Sequence, residues 1–209
     1  MANHLSRKET KQKNFETILD MGMKFFINYG TSNFSLQNFA MTLNMSPANL
    51  YNYVASKREL WFAILTREYS RDQESLLAQI KQSSGDIFNK ILINFTYVIN
   101  QVISDPDHYR MFYVIEAPPL KTEVGPIEKK FIQTDFSYGY LSSLLEESIA
   151  KKEIIQGAPS HIFGLIGALT HGIARQFLQF SSKKDALGYI SITKANLKKI
   201  IDIFKYRED

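Results

Sequence analysis

The chain has 209 residues, 44% of them hydrophobic, with 25 Lys and Arg against 21 Asp and Glu and a formal charge of +4; that length allows one or two domains around a well-buried core. The absence of cysteine excludes disulfides, thiolate metal sites and a cysteine nucleophile, and fits a cytoplasmic protein. The polar start MANHLSRKETKQKN is no secretory signal. The longest apolar run, residues 162–173, is broken by Thr170 and His171 and is too short for a bilayer, so no membrane is expected.

A first helix is predicted from Ser6 or Lys8 to Asn28. Phe15, Ile18, Leu19, Phe25, Phe26 and Tyr29 form one stripe. Gly22 lies in it where a neighbour can approach, and Gly30 stops the helix. Ser35 caps a short second helix with Leu36, Phe39, Ala40 and Leu43 on one face. Asn44 can then turn the chain through the left-handed region without a glycine. Ser46 and Pro47 open a third helix ending near Asn52, and Ser56-Lys57-Arg58-Glu59 reads as a capping box opening a fourth. Helix, tight turn, helix is the plan of a helix-turn-helix.

The fourth helix runs to about Gln82, with Trp61, Ile64, Leu65, Leu76, Leu77 and Ile80 inward and Arg67, Glu68, Arg71, Asp72 and Glu74 solvated. A helix over residues 87–103 is apolar on most sides and therefore buried. Asp105-Pro106 opens another that stops before Pro118-Pro119. Pro126 starts a long helix to about Lys152, and two final helices cover about 160–180 and 183–206. No alternation is sustained long enough for a strand. The fold class is all-α: a three-helix DNA-binding domain over 1–60, then a larger helical domain over 61–209.

The run from Met45 to Leu60, MSPANLYNYVASKREL, resembles the DNA-binding segment of the TetR family of transcriptional regulators. Residues 18–40, with Phe25-Phe26, Tyr29-Gly30, Phe34-Ser35-Leu36 and Phe39-Ala40, extend the likeness upstream. Three positions depart from the pattern: Asn44 stands where Gly is usual, Tyr53 where His is usual, and Val54 where Phe is usual. The resemblance implies that Tyr51 and Lys57 hold phosphates. It implies that N-terminal arms can follow the DNA backbone, a role open to Arg7, Lys8, Lys11 and Lys13, which fit a solvated helix end equally well. It also implies that the second domain encloses a small-molecule pocket and that the last two helices pair with those of a second chain.

The residues themselves support a DNA reader. The first sixty carry seven bases against four acids, so +3 of the chain's +4 lies there, the side a polyanion would approach. The start of the second helix of a helix-turn-helix enters the major groove. Ser46, Pro47, Ala48 and Asn49 would lie at the base edges, where Asn can bond adenine twice and Ala can touch a thymine methyl. Tyr51, Asn52, Tyr53 and Lys57 would grip the backbone, and Ser35 is a further phosphate candidate. One such reader spans few base pairs, so a homodimer on a palindrome of double-stranded DNA is expected.

For the dimer surface the candidates are the small stripe Gly164, Gly167, Ala168 and Gly172 with Ile190, Leu197, Ile201 and Phe204. For a small, largely apolar effector they are Phe88, Phe95, Tyr97, His108, Met111, Phe112, Phe136, Tyr140, His171 and Arg175. Each of these also fits ordinary core or surface. No phosphate-binding glycine loop, HExxH or GxSxG is present. Asp105, Asp107 and His108 come nearest to a metal cluster, and are better read as an acidic helix N-terminus. Neither an enzyme nor a cofactor is expected. The other reading is a helical small-molecule carrier or enzyme with a vestigial helix-turn-helix.

Overall fold

The structure, a computed structural model, describes residues 6–33, 35–120, 123–134, 138–154, 159–179 and 183–204. Its regular elements are helices: α1 (Arg7–Tyr29), α2 (Leu36–Thr42), α3 (Pro47–Tyr51), α4 (Lys57–Gln82), α5 (Ile87–Ser104), α6 (Pro106–Tyr113), α7 (Pro126–Gln133), α8 (Tyr138–Ala150), α9 (Pro159–Phe177) and α10 (Lys183–Asp202). The all-α expectation holds. The single helix expected from Pro126 to Lys152 is two, because α7 ends at Thr134, whose ψ of 123° leaves helical space.

Packing divides the chain into two compact units. The first holds residues 1–70 and 110–134, the second 71–109 and 135–209. The first unit includes the first turns of α4, with Leu60, Trp61 and Ile64 buried, and α7, whose Ile127 and Phe131 pack partly buried against the first core.

The first core gathers Ile18, Leu19 and Phe26 of α1, Phe39 and Ala40 of α2, Leu50 of α3, and Leu60, Trp61 and Ile64 of α4. Gly22 admits α4: a Cβ there would press at 3.2 Å on the methyls of Leu60 and Ile64. The Phe26 ring meets Trp61 edge-on at 5.0 Å, a preferred aromatic geometry.

Arg67 closes the same seam with charge. It bonds Asp20 at 2.7 Å and Glu16 at 3.3 Å on α1, and Glu68 at 2.6 Å on its own helix. Arg67 and Glu68 are thus not the solvated pair that helical spacing suggests; Glu68 is 7% exposed.

The second core is built on α5, which buries Ile87, Phe88, Ile91, Phe95, Tyr97, Ile99 and Val102 as its apolar sequence predicts. Tyr109, Leu145, Ile166, Ala174, Phe177 and Leu197 pack in the same cluster.

Candidate nucleic-acid interface

The turn between α2 and α3 is set by backbone chemistry. Asn44 sits at φ 53°. Around it Met45 N–H donates to Ala40 C=O and Asn44 N–H to Met41 C=O, each at 3.0 Å, the paired bonds of a Schellman ending with Asn in the place of Gly. Ser46 then caps α3, its Oγ accepting from Asn49 N–H at 3.2 Å, with Pro47 in the first turn. Ser35 caps α2 in the same way through Asn38 N–H. Each hydroxyl accepts in its cap and keeps its proton to donate outward.

Only Leu50 of α3 is buried, at 0% exposed, and Val54 behind it is 2% exposed. These two side chains seat the short helix. Ala48, Asn49, Tyr51 and Asn52 remain exposed, with Pro47 and Tyr53 half-buried. Asn49, Asn52 and Tyr53 line one concave surface, and Tyr51 lines another.

Tyr53 is held by α1. Its ring stacks on Phe15 at 6.1 Å with 13° between planes, its hydroxyl accepts from Asn14 Nδ2 at 3.5 Å, and Lys11 Nζ lies 5.8 Å from its ring centre. The result is a concave surface of about 800 Å³ lined by Arg7, Thr10, Lys11, Asn14, Asn49, Asn52 and Tyr53. None of these seven side chains is acidic. Thr10 and Asn14 are absent from the sequence-based candidates. The spacing 7, 10, 11, 14 places all four α1 residues on one helical face, and that is the signal by which sequence reasoning could have found them.

A second cleft, of about 580 Å³, joins Ser35, Tyr51, Ser56 and Lys57 to Thr31, Ser32 and Ala55, with Arg58, Pro118, Pro119, Leu120 and Glu123 completing its wall. Lys57 Nζ donates to Thr31 C=O at 2.8 Å. That bond ties the start of α4 to the α1–α2 turn and uses one of the three ammonium protons. Half of the expected capping box is present: Ser56 Oγ accepts from Glu59 N–H at 3.1 Å. The Glu59 carboxylate, however, accepts from Ile127 and Glu128 N–H at 3.2 and 3.3 Å, at the start of α7.

The effector candidates fall in both units. Phe88, Phe95, Tyr97, His108 and His171 belong to the second, where Phe95 is 3% exposed. There Asp72, expected to be solvated, accepts from Tyr97 Oη at 3.0 Å and from Gln101 at 3.2 Å, and pairs with His108 Nε2 at 2.9 Å. Burial pushes the Tyr97 phenol up. Tyr109 donates to His171 C=O at 3.1 Å, and burial pushes its phenol up to about 12 and the His171 imidazole down.

Arg175 is exposed. In the first unit, Met111 is fully buried in the core and Phe112 packs edge-on against Tyr69 at 4.9 Å. Phe136 and the Tyr140 side chain lie outside the described residues. So do the side chains of Ile190 and Ile201.

Of the remaining dimer candidates, Gly164, Ala168 and Gly172 are exposed and Gly167 is half-exposed. A Cβ on any of those three glycines would meet nothing within 4 Å. Leu165 beside them is 51% exposed and Ile192 on α10 61%. Leu197 is 1% exposed and packs in its own core, with Phe204 half-buried against it. Among the described residues no three His, Asp or Glu converge as a metal site would require, and no helix is long and apolar enough to cross a membrane.

No protein-family model matches the chain, and no curated protein resembles it in sequence. Solved structures do resemble it. A putative TetR-family transcription regulator from Shewanella sp. PV-4 superposes with a TM-score of 0.69 at 12% identity, over 93% of this chain and 99% of its own. The fatty acid degradation regulator FadR from Bacillus halodurans gives 0.67 at 14% identity, over 90% and 97%. AibR, solved with isovaleryl coenzyme A and operator DNA, gives 0.60 at 14% identity, over 86% and 96%. The chain has the fold of TetR-family regulators over most of its length.

Proposed function

We propose that the protein is a homodimeric DNA-binding transcriptional regulator, a repressor that holds a palindromic operator and releases it when a small, largely apolar effector binds. The observation that carries this reading is the acid-free concave surface between α1 and the exposed side of α3. Its Arg, Lys, Asn and Tyr side chains supply phosphate and base-edge donors together. The likeness to a regulator solved on operator DNA with an acyl-coenzyme A supports both the DNA partner and an effector. The exposed small stripe of α9 beside Leu165 supports close pairing with a second copy. The aromatic second core with its Asp72, Tyr97 and His108 polar cluster is where the effector would be recognised.

Selection of genomic fragments by the purified protein, followed by sequencing, tests the reading. A palindrome should emerge, bound with an affinity that falls steeply with salt. Tyr51→Ala or Lys57→Ala should weaken all duplexes alike, and Asn49→Ala should cost about 1–3 kcal/mol and relax preference at one base pair. Failure to enrich any sequence, or binding indifferent to salt, would sink it.

A further inference from the structure

The first turn of α4 carries two jobs in adjacent residues. Ser56 and Lys57 line the cleft that holds Tyr51 and Ser35. The next two residues reach 60 to 70 positions along the chain. Arg58 grips Glu128 with two parallel bonds, Nε to Oε2 at 2.7 Å and Nη2 to Oε1 at 2.5 Å, and its Nη1 donates to Pro118 C=O at 2.5 Å. Glu59 receives the first amides of α7. The site is closed: Glu59 and Glu128 are 4% and 3% exposed, and the guanidinium lies 5.1 Å over the Phe62 ring. The bond to Glu128 holds the Arg58 guanidinium protonated even more firmly than usual.

Two buried carboxylates face one guanidinium and the amide end of a helix. That balance holds in one geometry, because removing any partner leaves a buried charge uncompensated. The bonds run in fixed directions to both ends of the segment 118–128. The far wall of the Lys57 cleft, Pro118, Pro119, Leu120 and Glu123, is therefore registered against the residue next to Lys57.

We propose that Arg58, Glu59 and Glu128 are positioning residues for DNA recognition, setting the register of the α4 first turn and its cleft so that the Lys57 and Tyr51 phosphate contacts coincide with the base contacts of α3. This rests on the DNA-reading function proposed above. None of the three carboxylate or guanidinium groups is assigned a contact with DNA. Their effect is on the match between protein and operator, and so on discrimination between sequences. Sequence-blind affinity is dominated by the charges that meet phosphates, whose number neither substitution below changes at the DNA, and is left nearly alone.

The test uses the full-length protein, the operator recovered by selection and a scrambled duplex of the same length. Arg58→Lys keeps the charge and loses the fork; Glu128→Gln keeps the shape and loses the charge. Binding is measured by fluorescence anisotropy across a salt series, with the active fraction fixed by stoichiometric titration. The expected result is a fall of about tenfold in the operator-to-scrambled affinity ratio, with scrambled-duplex affinity and salt slope unchanged.

An unchanged ratio in the active protein would assign the cluster to stability alone and overturn the proposal. So would complete unfolding of both variants. Equal loss on both duplexes with a shallower salt slope would make Arg58 a phosphate ligand and overturn it as well. If the unsubstituted protein itself shows no preference for any sequence, it is the DNA-reading function that has failed.

Discussion

The two packing units bury helices by different means. In the first, α4 is tied to α1, to the α1–α2 turn and to α7 by polar bonds between residues far apart in sequence: Lys57 to Thr31, Arg67 to Asp20, Arg58 to Glu128, Glu59 to α7. In the second, helices of 13 to 20 residues gather on α5 around a largely apolar cluster. A helix of five or seven residues such as α3 or α2 has too little apolar face to fix its own angle. Directional bonds and caps supply what area cannot. The geometry of the first unit is thus specified in part by hydrogen bonds and caps.

The sharpest way to break this comparison is to cut the apolar unit. Phe95→Ala on α5 should cost about 3–5 kcal/mol and lower the urea midpoint accordingly; a cost below 1 kcal/mol would show that α5 does not organise the second core. Next comes Arg67→Ala, which removes the cation bonded to Asp20, Glu16 and the buried Glu68 and should cost about 3 kcal/mol in thermal melts. Replacing Lys151, whose partner Glu147 is fully exposed like itself, should leave the melt unmoved. Equal effects at both pairs would remove the distinction between pinning and decorative charges.

A smaller effect separates the units by pH. Burial lowers the His171 pKa below its ordinary 6.5, so the folded state disfavours the imidazolium while the unfolded chain takes up the proton. Stability from this source is complete above about pH 6.5 and declines as the pH falls through and below that value. His171→Asn should flatten that part of the melting-temperature profile, whereas Arg67→Ala should shift the profile without changing its slope there. The smallest effect is at the turn. Asn44→Gly should be neutral or slightly stabilising, and Asn44→Ala should cost about 1 kcal/mol because alanine resists a φ of 53°.

What the sequence disclosed follows the same division. The Asn44 turn, the Ser35 and Ser46 caps and the close approach at Gly22 were legible because each is a local rule acting over three or four residues. The buried face of α5 was legible from composition alone. Arg67, Glu68 and Asp72 were misread as solvated because a charged residue on a helix carries no mark of a partner tens of positions away. The tie between α4 and α7 was invisible for the same reason. At the candidate interface, the exposed α3 side chains were picked out through a motif. Thr10 and Asn14 were passed over because polar residues near a helix start look like any solvated end.

Gly125 shows how such a tie would surface in a mutational scan. Its φ of −74° and ψ of 169° suit any amino acid, and it stands in a connecting segment where substitutions are ordinarily absorbed. Yet a Cβ there would overlap the Glu59 carboxylate. Gly30 is the opposite case, held at φ 66° and ψ −170° with open space around it, in a backbone region that essentially only glycine enters. Position 125 would resist replacement while the Glu59 carboxylate stays on the α7 amides, because any Cβ must displace it, and would score closer to a core site than to a loop. Tolerance would return when Glu59 is shortened to Asp in the same molecule, a compensating pair 66 residues apart that coevolution would record as a contact.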